Sequence, residues 1–386
     1  MGTPQAKTGV YLDYAATMPM REAALQAWEE TVRTLQATPG NPAALHGGGR
    51  HAKHLLEDAR EKVAGLLGVS RAEVIFTSGA TEANALGIVG CWRAHPRSPG
   101  GPVQVCAADH PSSFQQAQTI QREGGIFNQV PIDANGQMQV EYIDPQATVV
   151  SVAAVSSEIG VIQPLPAIAA ALGEDTVLHV DATQAIHTQH IDLAQLQVGA
   201  LTLAGHKIGA PVGIGALVVR RGVKLHTDRP GGDQESKRRS GTVDVAGATA
   251  LATALEICVQ EREDLIAHTK KLRSQLLSQL PPGCHATVKP QLSAPNIIHL
   301  SLPTAHPEAV LMRLDSAGIW ASAGSACHAG VTRPSRVVLA MGRTQEQALG
   351  VLRISIHRTT SADDINRFLH ALPTAVEAGK ALDALG

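Results

Sequence analysis

The sequence predicts an α/β protein: a mainly parallel sheet with helices on both faces, followed by a smaller α+β domain. Two patterns and the length carry that expectation. Up to about residue 220, short apolar runs alternate with stretches of helical periodicity. Strands that are apolar on both faces belong to parallel sheets covered by helices on each side. Past a Gly-, Pro- and charge-rich stretch at 228–241, a shorter alternation follows. A chain of 386 residues also exceeds what one ordinary hydrophobic core serves, so two domains are expected. The larger is placed at 13–255 and the smaller at 1–12 together with 256–386.

In chain order, Arg21–Gln36 and Arg50–Leu67 carry apolar residues at helical spacing, and the second stops at Gly68. Glu73–Thr77 reads as a strand, and Ser78-Gly-Ala-Thr81 opens a helix that runs to about Ala94. Further strands are expected at Val103–Ala107, Val149–Val155, Val177–Val180, Ala200–Ala204 and Ile214–Arg220. One long helix from about Val245 to Leu280 precedes the Pro281-Pro-Gly283 break, and the domain boundary falls inside it. Then come strand-like Ile297–Leu302, a helix from about Pro307, and strand-like Ile319–Ser322 and Leu352–Ile356. Ser361 and Asp364 form a capping box for a last helix.

Composition excludes several function classes. Thirty-two basic against 34 acidic residues leave a net charge of −2, which argues against nucleic acid or an anionic membrane surface as the main partner. No apolar run approaches the roughly 18 residues that span a bilayer. The N-terminal stretch lacks the apolar core of a secretory signal, so a cytoplasmic location is expected. Five scattered cysteines without a C-x-x-C pair make neither a zinc site nor a disulfide framework. His51 and His54 could share a helix face, but no metal is expected there. One cysteine asks for an explanation: Cys327 in Ala323-Gly-Ser-Ala-Cys-His-Ala-Gly330 has only small or polar neighbours, unlike a cysteine that packs as a small hydrophobe.

Four elements carry chemistry. Lys207, in Ala204-Gly-His-Lys-Ile-Gly209, follows an apolar strand at the sheet edge where open α/β folds bind ligands. Desolvation there can hold its amine neutral for Schiff-base chemistry; the plain alternative is a surface lysine in a turn. Asp181 ends another buried strand and could keep a heteroaromatic nitrogen protonated, or it could merely cap a helix. Phe76-Thr-Ser-Gly-Ala-Thr-Glu82 is strand, glycine turn and helix start, a phosphate site unless Thr77 or Ser78 simply caps the helix. His110 lies just past a further strand end, catalytic or structural with equal weight. Lysine, carboxylate, phosphate cradle and histidine along one sheet edge are what pyridoxal 5′-phosphate requires.

These residues resemble a known family. Tyr11-Leu-Asp-Tyr-Ala-Ala-Thr17, Gly40-Asn-Pro42, Thr77-Ser-Gly-Ala-Thr-Glu82, Ser157-Glu-Ile-Gly160, His179-Val-Asp-Ala-Thr-Gln184, Gly205-His-Lys207, Arg239-Ser-Gly-Thr242 and Gly324-Ser-Ala-Cys327 are similar, in order, to cysteine desulfurases of the NifS/IscS type. That resemblance implies a homodimeric pyridoxal-phosphate enzyme of fold type I. Its sheet would be of the seven-stranded type, and it would convert L-cysteine to L-alanine, leaving sulfur as a persulfide on an enzyme cysteine. Carried over, Lys207 would bind the cofactor aldehyde, Asp181 the ring nitrogen and Gln184 the ring oxygen. His110 would stack on the ring and move protons. Ala80, Thr81 and His206 would hold the phosphate, joined by Thr242 from the partner subunit. Arg353 would hold the substrate carboxylate, with Asn41 on the substrate side, and Cys327 would attack the substrate sulfur as a thiolate. The small-residue stretch around Cys327 resembles the longer-loop class of the family.

Two positions depart from the family pattern. Ser157 stands where relatives usually carry Asn, and Ala204 where they usually carry Ser. A lost hydrogen bond to a charged phosphate is worth roughly 1.5–3 kcal/mol, so weaker cofactor retention is expected. Other functions stay open: a pyridoxal-phosphate cysteine or cystine C–S lyase or selenocysteine lyase, or a non-catalytic sulfur carrier or scaffold on a degenerate fold. The sulfur acceptor is expected to be a protein, in iron–sulfur cluster assembly, tRNA thiolation, DNA sulfur modification or cofactor biosynthesis.

Overall fold

The computed structural model describes residues 9–324 and 333–384; Cys327 lies outside the described residues. Strands are β1 (Val10–Tyr11), β2 (Val74–Thr77), β3 (Val103–Cys106), β4 (Phe127–Val130), β5 (Val149–Ala153), β6 (Val177–Asp181) and β7 (Val198–Ala204). They continue as β8 (Gly215–Val219), β9 (His285–Ala286), β10 (Ile297–Ser301), β11 (Ile319–Trp320), β12 (Ser322–Ala323) and β13 (Val351–Ser355).

The large sheet has seven strands in the order β2-β8-β7-β6-β5-β3-β4. β8 runs antiparallel to both of its neighbours and the other pairings are parallel, as the apolar runs predict. The inner strands β3, β5 and β7 are buried along their whole length. Val, present in all three, suits that position because branched side chains pack well on a pleated surface. Helices Glu22–Ala37 and Gly47–Leu67 pack against helix Val245–Gln260, and with Val63, Leu251 and Leu255 they cover one face of the sheet at Val150 and Leu201. Leu86, Ile88 and Trp92, from the helical stretch after β2, cover the other face at Ile75, Val103 and Leu217. β4 escapes the sequence reading because Asn128 and Gln129 are exposed at the sheet edge, so no apolar run marks it.

The second unit is a four-stranded antiparallel sheet, β12-β13-β10-β9. Its core holds Leu272, Leu300, Ile354 and Phe368, from the sheet and from helices Arg262–Ser278 and Ala362–Asp383. β1 pairs in parallel with β11, which ties the chain start to this unit. The long helix expected from Val245 to Leu280 is two helices, Val245–Gln260 and Arg262–Ser278, meeting at Glu261. At the break Glu261 has φ −84° and ψ −1°, and its carboxylate pairs with Arg21 and Arg358, one from the large unit and one from the segment after β13. The expected strand Ile319–Ser322 is likewise split, because β11 pairs with β1 and β12 with β13. Ser361 and Asp364 form the expected capping box. Among the described residues, no helix is long and apolar enough to cross a membrane.

Candidate active site

Parallel strands end together, and here β5, β6 and β7 end at Ala153, Asp181 and Ala204. A cavity of about 370 Å³ opens at that edge; its lining includes Ala80, Thr81, His110, Asp181, Gln184, His206 and Lys207.

Lys207 follows β7 in a short turn, Gly205–Lys207. Its Nζ donates to the carbonyl oxygens of Ala15 and Ala16 at 2.5 and 2.6 Å. Burial pulls its pKa down to about 8, and the Arg353 charge pulls the same way. An amine so placed has a substantial neutral fraction near neutral pH, which carbonyl attack requires.

Asp181 is fixed by two donors: Asn84 Nδ2 reaches Oδ2 at 2.8 Å and the Thr183 amide reaches Oδ1 at 2.9 Å. It accepts the Thr183 amide in the turn that follows β6, where no helix starts for it to cap, and it lines the cavity. Asn84 also donates to Ser112 Oγ at 2.8 Å. Sequence reasoning missed Asn84; its place one turn inside the helix that starts at Ala80, facing the sheet, was the available signal.

His110 caps the short helix Pro111–Phe114, where its Nδ1 accepts from the Ser112 amide at 3.1 Å. That bond leaves Nε2 as the proton-bearing nitrogen of the neutral ring. Burial lowers its pKa, the Asp181 carboxylate opposes, and the Lys207 charge lowers it further.

At the cradle, Gly79 has φ of 146°, a backbone region open to glycine. A Cβ on Gly215 would lie 2.7 Å from the Gly79 Cα, so two glycines let β8 approach the turn. Neither Thr77 nor Ser78 caps the helix: Thr77 Oγ1 donates to the Gly79 carbonyl, and the helix has no side-chain cap. Its first amides are therefore available to an anion. Glu82, also missed from sequence, accepts from the Ser78 amide at 2.6 Å and pairs with Arg239 and Arg229 at 3.0 and 2.9 Å. Burial works to raise its pKa, but the bonds from Arg239 and Ser78 outweigh it and hold it below the usual value. His206 Nδ1 lies 3.1 Å from Thr17 Oγ1, and Gln184 Nε2 donates to the Ala15 carbonyl at 2.8 Å.

Three expected residues, Arg353, Asn41 and Thr242, are not in that lining. Arg353, on β13, reaches from the small sheet to the Ser157 carbonyl at 2.9 Å and to Asp13 Oδ1 at 2.8 Å. Asn41 and Thr242 line a separate cavity of about 650 Å³ together with Arg60 and Glu235, so the chain does not bring them to its own Lys207.

The residues present fit pyridoxal 5′-phosphate. The cavity offers a half-desolvated amine for an aldehyde, a fixed carboxylate for a pyridine nitrogen and an uncapped helix start for a phosphate. Thr183 Oγ1 is buried without a partner among the described residues, on the cavity wall.

A family model described as Aminotransferase class-V matches residues 10–368. Cysteine desulfurase IscS 1 of Archaeoglobus fulgidus is 31% identical over 381 residues, covering 97% of this chain and 99% of the relative. The IscS-like cysteine desulfurase of Mycobacterium tuberculosis is 35% identical over 392 residues, with 97% and 99% covered. A solved NifS-like protein superposes with a TM-score of 0.86 at 30% identity, covering 96% of this chain and 99% of that one. With the geometry above, these similarities mean that the chain belongs to the class-V aminotransferase family, among its pyridoxal-phosphate-dependent cysteine desulfurases.

Proposed function

We propose that this protein converts L-cysteine to L-alanine and passes the sulfur, as a persulfide on Cys327, to an acceptor protein. The observation that carries the reading is the Lys207 amine, drawn down to about 8, on one cavity wall with the doubly anchored Asp181. The cofactor, when bound, supplies an electron sink for the pair released at Cα.

The protein's own residues do the rest. Asp13 holds Arg353 until a substrate carboxylate takes its place, and the guanidinium fork suits that exchange. Lys207 accepts the Cα proton and His110 manages protons through Nε2. Cys327 thiolate bonds to the substrate sulfur as the Cβ–S bond breaks. The electron pair stays with carbon and is protonated, so cysteine and thiolate become alanine and persulfide without an external oxidant. Asn41 and Thr242 serve the Lys207 site of the other subunit in a homodimer. The setting is cytoplasmic, and the acceptor is an iron–sulfur scaffold or a thiolation partner.

Incubation with [35S]cysteine tests this reading. Label released by dithiothreitol is expected on Cys327, together with an absorbance band near 400 nm in the wild type that Lys207→Ala lacks. A Cys327→Ser variant that still makes alanine at full rate would move the assignment to a C–S lyase. A wild type without the band would leave a scaffold.

A further inference from the structure

The turn that carries Lys207 is fastened along one stretch of chain, residues 15–21. The lysine amine reaches the Ala15 and Ala16 carbonyls. Just before it, the His206 carbonyl accepts the Met18 amide at 3.1 Å. Just after it, Arg21 makes two bonds. Its Nε donates to the Ile208 carbonyl at 2.8 Å, and its amide donates to the Gly209 carbonyl at 2.9 Å. Gly209 has φ of 83°, a conformation that favours glycine, and a Cβ there would lie 2.6 Å from Arg21 Cγ. The turn therefore closes directly onto the stem of the arginine.

The guanidinium is in turn held by a carboxylate. Arg21 Nη1 donates to Glu261 Oε2 at 2.7 Å, at the point where helices Val245–Gln260 and Arg262–Ser278 meet. The other oxygen of Glu261 pairs with Arg358 Nε at 3.3 Å, just past the strand that carries Arg353. The Arg21 and Glu261 side chains are only 12% and 24% exposed, so solvent ions screen them less than a surface pair. A planar fork can give one N–H to a carbonyl and another to a carboxylate in fixed relation. A lysine ammonium on its flexible stem has no such fixed geometry.

We propose that Arg21 is a positioning residue for Lys207: it clamps the main chain just past the lysine against residues 15–21, and Glu261 holds that clamp in place. The inference rests on the function proposed above, in which Lys207 binds the cofactor and accepts the Cα proton. Support of this kind matters because misplacing a reacting group by about 1 Å costs about a hundredfold in rate. Arg21 acts through geometry. The charges that move the Lys207 pKa are those of Arg353, Asp13 and Asp181. Removing the Arg21 guanidinium should therefore slow Lys207 without changing the pH at which it becomes reactive.

The test compares wild type with Arg21→Ala, Glu261→Ala, Glu261→Gln and the Arg21→Ala/Glu261→Ala double variant. Apoprotein is given pyridoxal 5′-phosphate between pH 6 and 9, and the rate of the 400-nm rise is followed. The holoenzymes are compared by visible circular dichroism of the bound cofactor and by KM and kcat for alanine formation. In Arg21→Ala the loading plateau and kcat should each fall about tenfold, within the range that misplacement costs. The visible dichroism should weaken, while KM and the pH midpoint of loading stay at their wild-type values. Glu261→Ala should lose about threefold by itself and nothing more beside Arg21→Ala, as residues acting through one contact do. Glu261→Gln should load at the wild-type rate, since its amide oxygen still accepts from Arg21.

Wild-type loading and kcat in Arg21→Ala overturn the proposal. So does a shifted midpoint, a change in KM alone, a slow Glu261→Gln, or a double variant that shows both losses in full. Should Arg21→Ala not fold, Glu261→Ala decides, with wild-type loading overturning the proposal. If the wild type takes up cofactor but makes no alanine from cysteine, the function beneath falls, and the loading rates still judge Arg21. An active wild type beside a fast-loading Arg21→Ala removes this inference alone.

Discussion

Lys207 is where burial and charge act together on one proton. Desolvation and the Arg353 charge lower its pKa to about 8, while Asp13 and Asp181 pull the other way. Only the neutral amine can take up an aldehyde, so loading of the cofactor into apoprotein should speed up with pH. The neutral fraction grows about tenfold per pH unit below the pKa and levels off above it. The rate of the 400-nm rise after adding pyridoxal phosphate should climb between pH 6 and 8 and flatten by pH 9; a flat profile would disprove the lowered pKa. Ala204 makes a second case. It is buried on the cavity wall, where the resemblance implies that a serine hydroxyl would serve the phosphate. Ala204→Ser should tighten cofactor binding about tenfold or more, from a charged hydrogen bond worth roughly 1.5–3 kcal/mol. Equilibrium dialysis checks this: an unchanged Kd, or full cofactor retention by the wild type through long dialysis, would refute it.

Elements hold these residues through buried polar ties that sequence patterns do not display. Arg60, on helix Gly47–Leu67, donates to both oxygens of Glu235 at 2.7 and 2.6 Å, and Glu235 also accepts the Phe76 amide at 2.8 Å. The bonds join that helix and β2 to the stretch leading to Thr242, where Glu235, Ser236 and Lys237 have positive φ. Arg60→Met takes both guanidinium bonds from the buried Glu235 carboxylate and leaves it the Phe76 amide, and breaking a buried pair in this way costs about 3–5 kcal/mol. The denaturant midpoint should fall, with unfolding followed by circular dichroism, and a midpoint equal to wild type would sink the prediction. The motifs at strand ends were legible because chemistry there is written in adjacent letters: Lys207 after β7, Asp181 closing β6, Ser78–Thr81 after β2. Asn84 and Glu82 were not, since each matters through a partner about a hundred residues away or more, Asp181 in one case and Arg239 in the other. Likewise six of the seven strands of the large sheet were readable as apolar runs, and the count of seven is what the resemblance implies. β4 at its exposed edge and the helix break at Glu261 depend on tertiary context.

At the scale of the whole molecule, the homodimer proposed above decides where Thr242 and Asn41 act. Thr242 and Asn41 line the other cavity, beside Arg60 and Glu235, so a homodimer should place them at the partner's cofactor. Hybrid dimers can separate the two possibilities. In a hybrid of a Lys207→Ala chain with a Thr242→Ala chain, the only functional lysine belongs to the chain lacking Thr242. If Thr242 acts across the interface, that lysine receives an intact threonine from its partner. Cofactor affinity at the 400-nm-absorbing site should then equal wild type, while the Thr242→Ala homodimer binds about tenfold or more weakly, the loss of one charged hydrogen bond. If Thr242 acts within its own chain, the hybrid stays as weak as that homodimer. Titration of hybrids purified by two affinity tags distinguishes these outcomes. The same experiment tests the dimer itself, because a monomeric protein yields no hybrid to purify.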